Sequence, residues 1–438
     1  MNLKINPIVT NLTGEIIAPG SKSYSHRAFI AASLAEGISL IKNPIISGDV
    51  GITMDLLRAL GIKILKRSDN TYIVKRDRDA FRSLKKPFDC GNSGTTIRIF
   101  SALSLIIQGG LTLKGNFLRL KRPILPLLKV LEKLGGSFKL TANKLKIVRK
   151  EVVCNKIKIQ GNISSQFITA LMFLCPILKC KNQDYFEIHV ELPIVSKPFI
   201  EITLDILEKF GINIQANFEN GTFYITNEQT YRAQSYKIPG DFSSVANIIA
   251  AIVLSKKPSK LIINDLDMNN KQGDKKIINI LIEMGADITI KEQDNQIIVN
   301  GDLKNHPLKG IEIDCSDIPD LFPILSVIAA YANGKTILYN THNLRFKETN
   351  RVFAINRELS KMGVNIYEEE NKITVFHCDN ITGITINHNN DHRIAMACTI
   401  ASLYAESSSY IETSEIVNDS FPNFFNILKE LGANIEEL

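Results

Sequence analysis

Six segments of the chain, LLRALGIKI, VLEKLGGSF, ILEKFGINI, LIEMGADITI, LSKMGVNIY and LKELGANIEEL, carry one pattern: an amphipathic helix, a glycine, then a short strand. Their glycines, Gly61, Gly135, Gly211, Gly285, Gly363 and Gly432, recur at intervals of about 75 residues. Each falls where a helix C-terminus takes a left-handed residue before the chain turns into a strand. A chain with this period is committed to six similar α/β units.

Between these segments lie six more apolar helices, each followed by a strand: SYSHRAFIAASLAEGISLI, GNSGTTIRIFSALSLI, SSQFITALMFLCPIL, DFSSVANIIAAIVLS, DIPDLFPILSVIAAYANGKTIL and NDHRIAMACTIASLY. They are apolar nearly all round, as a helix buried inside a domain must be. Their first turns are polar instead: five carry Ser, Thr, Asn or Asp where a side chain can cap free N–H groups, and SHR and DHR add cations. Six units suit two similar domains of three units each better than one doubly wound sheet. If the buried helices of a domain run parallel, their N-termini face one way, each favouring an anion by about 0.3–1 kcal/mol. An anionic ligand lodged between the two domains follows.

Composition removes other classes. The chain has 438 residues, 45% of them hydrophobic and 22% charged, enough for two domains with buried cores. Its longest apolar runs, ILSVIAAYA and NIIAAIVL, are shorter than the roughly 18 residues a membrane span needs, and no signal peptide opens the sequence. A cytoplasmic location is the expectation. The cysteines (Cys90, Cys154, Cys175, Cys180, Cys315, Cys378 and Cys398) are scattered without a CxxC pair, so neither a disulfide framework nor a zinc ribbon is indicated. A net charge of +7 raises nucleic acid as a partner, but the lysines are spread along the chain, with no basic tail or stripe. Small anionic substrates fit better.

Three motifs suit anions on their residue chemistry alone. In PGSKSYSHR, Lys22 and Arg27 lie within about one turn of the start of a buried helix, where a phosphate or carboxylate collects charge-assisted hydrogen bonds. GNSGTTIR is a glycine-containing loop opening a helix; it lacks the Gly-Lys-Ser/Thr of a P-loop and is no dinucleotide fingerprint. In NLRFKETNR, the spacing puts Lys347 and Arg351 on one helical face with Glu348 adjacent, which by itself also describes a surface ion-pair cluster. His388 and His392 are four apart, but neither a third ligand nor HExxH supports a metal; the expectation is no metal, with His392 orienting Arg393 or Asp391.

With KRP, SSQF, SKP, IPD and NDHR, these motifs stand in the order and spacing of the EPSP synthase (3-phosphoshikimate 1-carboxyvinyltransferase) family of enolpyruvyl transferases, which the chain resembles over essentially its whole length. The resemblance implies two inside-out α/β domains, each of three βαβαββ units, with the active site in the interdomain cleft. Residues 21–238 form one domain; residues 239–438, completed by a strand from 1–20, form the other, with crossovers near 20 and 239. It implies transfer of the enolpyruvyl group of phosphoenolpyruvate to the 5-hydroxyl of shikimate 3-phosphate, with loss of phosphate, in aromatic amino acid biosynthesis. No cofactor is implied, and a monomer is expected.

By the same resemblance, shikimate 3-phosphate is held by Lys22, Ser23, Arg27, Ser164, Ser165, Gln166, Ser196, Asp320, Asn343 and Lys347. Phosphoenolpyruvate is held by Lys22, Asn92, Gly94, Thr95, Arg122, Gln166, Arg351 and Arg393. Asp320 and Glu348 exchange protons, with Lys22 a third candidate carrier. His26 is left as structural. Two departures stand out: Phe199 occupies a place where several members have Tyr, and Asp419, in VNDSFP, one where they commonly have Lys. Asp419 is expected to turn outward. The nearest rival is UDP-N-acetylglucosamine enolpyruvyl transferase, which typically has a cysteine shortly before the Arg-Pro clamp; GNFLRLKRP has none. A non-catalytic anion-binding scaffold is the rival of another class.

Overall fold

The computed structural model describes residues 1–77, 80–153, 156–179 and 184–438. Cys154 and Cys180, two of the scattered cysteines, lie outside them. Among the described residues, twelve helices have two turns or more: α1 (Lys22–Leu34), α2 (Gly48–Ala59), α3 (Gly94–Leu103), α4 (Leu125–Lys133), α5 (Ser165–Leu174), α6 (Lys197–Lys209), α7 (Phe242–Val253), α8 (Lys276–Met284), α9 (Phe322–Tyr331), α10 (Arg351–Lys361), α11 (His392–Leu403) and α12 (Phe424–Leu431). None is long and apolar enough to cross a membrane.

Odd and even helices differ as their sequences require. Every residue of α7, α9 and α11 is buried. In α1 all are buried except Lys22 and Ser23, in α3 all except Thr95, and in α5 all except Gln166. Even-numbered helices bury one stripe: α8, for instance, buries Ile277, Ile278, Leu281 and Met284. Each fully buried Leu, Ile, Val or Phe contributes about 1.5–3 kcal/mol.

The strands form six four-stranded sheets of one design. In a representative sheet, Ile157–Gln160 runs parallel to Tyr185–Glu191, which is antiparallel to Thr222–Thr226, whose far edge carries Gln215–Asn217. In chain order the strands lie 1-2-4-3, with α5 between the first two and α6 between the second and third. Ile157 and Ile159 point to the core and Lys158 and Gln160 to solvent, the alternation of a one-sided sheet.

The chain divides into two units: Met1–Ser21 with Pro239–Leu438, and Lys22–Ile238, each with its own apolar core. Sequence-distant strands complete three sheets. In the first unit, Thr13–Ile17 lies parallel to Ser259–Asn264, and Leu3–Ile5 inserts between Ser409–Ile411 and Ile435–Glu437. In the second, Ser235–Lys237 lies parallel to Gly37–Lys42. Two Pro-Gly pairs mark the passages. Ser21 N–H donates to Pro239 C=O and Asp241 N–H to Pro19 C=O, both at 2.8 Å.

All six repeat glycines take positive φ: Gly61 +96°, Gly135 +91°, Gly211 +85°, Gly285 +107°, Gly363 +96° and Gly432 +113°. Two of them separate conformational strain from collision. A Cβ on Gly285 meets nothing closer than Pro307 O at 3.5 Å, whereas one on Gly135 meets Glu151 O at 1.8 Å. Gly285→Ala is therefore expected to cost about 1 kcal/mol. Gly135→Ala, which must also displace backbone, is expected to cost at least about 3 kcal/mol. Urea unfolding midpoints of the two variants measure the difference.

Candidate active site

In the unit Lys22–Ile238, polar groups gather at the few unburied first-turn positions. Lys22 starts α1, and its Nζ lies 3.2 Å from Asp49 Oδ2 in the first turn of α2. Arg27, one turn further in, is buried and donates only to neutral acceptors: Thr203 Oγ1 (2.8 Å), Ser23 C=O (2.9 Å), Phe199 C=O (3.1 Å) and Thr169 Oγ1 (3.4 Å). No carboxylate among the described residues pairs with it. Burial lowers its pKa to about 10, the mark of a cation without a counter-ion. Phe199 takes part through its carbonyl, which accepts from Arg27.

A second group surrounds the start of α3. Gly91 has φ +54°, which lets the loop fold back, and Ser93 Oγ caps the helix by accepting the N–H of Thr96 at 3.3 Å. Arg122 Nη1 donates to Asn92 C=O (2.7 Å) and Oδ1 (3.1 Å). Gln166 Nε2 donates to Thr95 Oγ1 at 3.1 Å, and its Oε1 accepts from Arg98 Nη1 at 2.5 Å. The guanidinium carbons of Arg98 and Arg122 lie 4.8 and 4.9 Å from the ring centre of Phe117. Gly94 sits in this ring: an added Cβ would stand 3.1 Å from Arg98, 3.2 Å from Arg122 and 3.2 Å from Gln166. Ser164 caps α5 through the N–H of Gln166 at 3.3 Å, and Ser165 follows, buried. Ser196, buried at the start of α6, takes the left-handed conformation (φ +56°), unusual for a residue with a side chain.

In the other unit the arrangement is reversed, with cations ringed by carboxylates. The buried Arg351 donates from Nη1 to Asp320 (2.7 Å) and Pro319 C=O (3.0 Å), from Nη2 to Glu348 (2.8 Å) and from Nε to Asp391 (2.9 Å). Arg393 Nη2 reaches the other Asp320 oxygen at 3.0 Å, and its Nη1 donates to Ser243 C=O at 3.1 Å. Asp391 also caps α11 by accepting the N–H of Arg393 at 2.9 Å. Asn343 Nδ2 donates to Ser316 C=O at 3.5 Å. Burial alone would raise the pKa of Asp320, but Arg393, Arg351 and Lys347 together hold it well below the usual carboxylate range.

Three sequence expectations change. Lys347 and Arg351 do not share a helical face: Lys347 is extended after a 3-10 turn over His342–Phe346, and α10 begins only at Arg351 because Asn350 Oδ1 caps it through the N–H of Phe353 at 3.2 Å. Asp419 is half-buried rather than turned fully outward, since it closes the 3-10 turn Ser414–Asp419 between the buried Val417 and Ser420. The side-chain caps expected on the buried helices occur on α3, α5 and α11; on α7, Asp241 instead accepts the Ser244 hydroxyl at 2.7 Å, while Gln272 Oε1 takes the Phe242 N–H at 3.2 Å. His388 Nε2 lies 2.9 Å from Thr413 Oγ1, and its Nδ1 accepts the N–H of Asn390 at 3.1 Å. Among the described residues no three His, Cys, Asp or Glu groups gather as a metal site needs.

Two charged residues of these groups were not singled out from sequence. Arg98 ends GNSGTTIR, one turn beyond Gly94, so its motif was the available signal. Asp274 had none. It is buried, accepts the Ser243 hydroxyl at 2.5 Å, and stands near Asp320 and Arg393. Burial first, and then Asp320, push its pKa up to about 7 against the pull of Arg393. A raised carboxyl pKa means that ionisation costs folding stability as pH rises from about 4 to about 7. Asp274→Asn removes that cost, so the variant should match the parent near pH 4 and exceed it at pH 8 by roughly 4 kcal/mol. Thermal unfolding across that range measures the divergence.

Comparisons with known proteins give the chain's family. A family model described as EPSP synthase (3-phosphoshikimate 1-carboxyvinyltransferase) matches residues 7–428. The 3-phosphoshikimate 1-carboxyvinyltransferase of Methanocaldococcus jannaschii is 43% identical over 445 residues, covering 100% of both chains. That of Methanococcus vannielii is 40% identical and covers 98% of each. In fold, EPSP synthase from Acinetobacter baumannii superposes with a TM-score of 0.78 at 22% identity over 99% of both chains. The enolpyruvyl transferase NikO from Streptomyces tendae gives 0.76 at 16% identity, over 99% of this chain and 98% of the other. With a family match across nearly its whole length and full-length relatives at this identity, the chain belongs to the EPSP synthase (3-phosphoshikimate 1-carboxyvinyltransferase) family.

Proposed function

We propose that the two polar groups divide the labour of the family's reaction, one holding anions and the other moving protons. The reaction follows from family membership: phosphoenolpyruvate gives its enolpyruvyl group to the 5-hydroxyl of shikimate 3-phosphate, and phosphate leaves. In addition, the hydroxyl oxygen bonds to C2 of phosphoenolpyruvate while its proton departs and the methylene carbon gains one. In elimination a methyl proton is lost, the C–O bond to phosphate breaks, and the double bond returns.

Lys22, Ser23, Arg27, Ser164, Ser165 and Ser196 take the phosphate and hydroxyls of shikimate 3-phosphate, and Asn343 and Lys347 are assigned to the same substrate by the family resemblance. Arg27 supports this reading because a buried guanidinium without a carboxylate is compensated by a phosphate. Asn92, Gly94, Thr95 and Arg122 take phosphoenolpyruvate, with Gln166 and Lys22 touching both substrates. Arg351 and Arg393 keep N–H groups free for its anionic end: one on Arg351 Nη2, and on Arg393 one at each Nη besides Nε.

One observation carries the proton-transfer reading: a single buried guanidinium, Arg351, holds Asp320 at 2.7 Å and Glu348 at 2.8 Å. Two carboxylates fixed on one cation can take opposite protonation roles, Asp320 accepting the hydroxyl proton and Glu348 serving the methylene carbon. Asp320 is too weak a base while Arg351, Arg393 and Lys347 act on it alone. Substrate anions on those cations offset their charge and raise its basicity at the moment it is needed. No step of this scheme calls for an organic cofactor.

Phosphate release on mixing the protein with phosphoenolpyruvate and shikimate 3-phosphate tests the reaction, with UDP-N-acetylglucosamine as the parallel acceptor. Release with shikimate 3-phosphate alone is expected; release only with the nucleotide sugar would move the chain to the sister activity. Glu348→Gln and Asp320→Asn should each lower kcat by about 100-fold or more. Full turnover in both variants, with only anion binding altered, would leave a binding scaffold as the better account.

A further inference from the structure

His26, set aside as structural on sequence grounds, begins a chain of buried hydroxyls that ends at the phosphoenolpyruvate side of the site. Its Nδ1 lies 2.8 Å from Thr53 Oγ1, Thr53 Oγ1 2.7 Å from Thr96 Oγ1, and Thr96 Oγ1 2.8 Å from Ser93 Oγ. All four side chains are buried. The path crosses three helices, from α1 through α2 to α3, and stops at the residue that caps α3.

The path also has a second rung. Lys22 and His26 are one turn apart on α1, as are Asp49 and Thr53 on α2, so the Lys22–Asp49 ion pair (3.2 Å) and the His26–Thr53 hydrogen bond (2.8 Å) lie in register. Asp49 holds the partly buried ammonium, and Thr53 passes the connection inward to α3.

Burial, then Lys22 and Arg27, put the His26 pKa well below its ordinary value, so the ring is neutral and carries one N–H. Its Nε2 is buried without a hydrogen-bond partner, so Nδ1 is the ring nitrogen that is bonded. Each hydroxyl between His26 and the cap is bonded on both sides, Thr53 Oγ1 to His26 and Thr96, and Thr96 Oγ1 to Thr53 and Ser93, while Ser93 Oγ also accepts the Thr96 N–H. Links of a buried hydrogen-bonded chain strengthen one another whichever way it runs.

We propose that this relay fixes the first turn of α3 against the Lys22 face of α1, making Thr53 a positioning residue for phosphoenolpyruvate. It rests on the reading that Asn92, Gly94, Thr95 and Arg122 hold that substrate. α1 has independent anchors in three hydrogen bonds of Arg27, to Thr169 on α5 and to Thr203 and the Phe199 carbonyl on α6, so loss of the relay displaces α3 and leaves the shikimate 3-phosphate groups of α1 in place.

Thr53→Val keeps the shape and removes the hydroxyl that joins both halves of the relay. The expected result is a rise of about tenfold in KM for phosphoenolpyruvate, the scale of one buried hydrogen bond. KM for shikimate 3-phosphate and kcat should stay within about twofold, and Thr53→Ser should restore the parent values. Unchanged or equally raised KM values accompanied by a lower Tm would overturn the proposal. If Thr53→Val fails to fold, Thr96→Val breaks the next link and is held to the same outcomes. Arg122→Ala separates the two levels. If it leaves KM for phosphoenolpyruvate unchanged, the assignment of that substrate to α3 fails; if it raises KM and Thr53→Val does not, only the relay fails.

Discussion

A helix buried on every side has one place where its polar chemistry can reach a ligand, and that place is its first turn. The fold applies this constraint six times. Side chains along α1, α3 and α5 are committed to packing, and the residues that escape full burial are Lys22, Ser23, Thr95 and Gln166. Free N–H groups, partial positive charge and unburied side chains therefore coincide by construction. In α7, α9 and α11 no residue escapes, so the chemistry there moves into the preceding loops, at Asp320 and Asp391, or stays buried as a charge, at Arg393.

The two units solve the problem of a buried arginine in opposite ways. Arg27 donates to two threonine hydroxyls and two carbonyls, which satisfy its geometry and leave its charge uncompensated. Arg351 is surrounded by Asp320, Glu348 and Asp391. An uncompensated cation in a low-dielectric interior binds an anion strongly; a compensated one binds more weakly but fixes its carboxylates rigidly. The first suits the hold on a phosphate and the second the placing of proton carriers, which need orientation more than net charge.

Much of the fold was legible because it rests on local rules. The six glycines announce left-handed helix ends, and the all-round apolar helices announce burial; neither depends on distant partners. The motif residues could likewise be assigned as one set through family resemblance. What stayed hidden depends on contacts between residues far apart in the chain. Asp391 meets Arg351 across 40 positions, and Asp274 meets Ser243 across 31. The misreading of Lys347 has a local cause that sequence rules contain but do not rank: Asn350 competes as a cap, and its hydrogen bond to Phe353 wins over continuing the helix back to Lys347. His26, expected to be structural, is buried as that reading requires, but its partner Thr53 lies on another helix and carries no motif, so the contact itself was not legible.

These arrangements bear on when the site becomes reactive. With Arg351 and Arg393 both on Asp320, the carboxylate is oriented but its basicity is suppressed. Only charges of opposite sign arriving on the same cations relieve that suppression, and the substrates bring two phosphates and two carboxylates. Under the proposed role of Asp320 as base, its strength is tied to occupancy, and proton transfer is promoted when both reactants are present and disfavoured when one is missing. Asp274 fits the same logic: with its carboxyl near neutrality, it avoids adding another full negative charge beside Asp320, one that would compete with incoming anions for Arg393. On the proposed assignments the suppressed Asp320 and the uncompensated Arg27 serve one end, since each awaits the charge of a substrate anion.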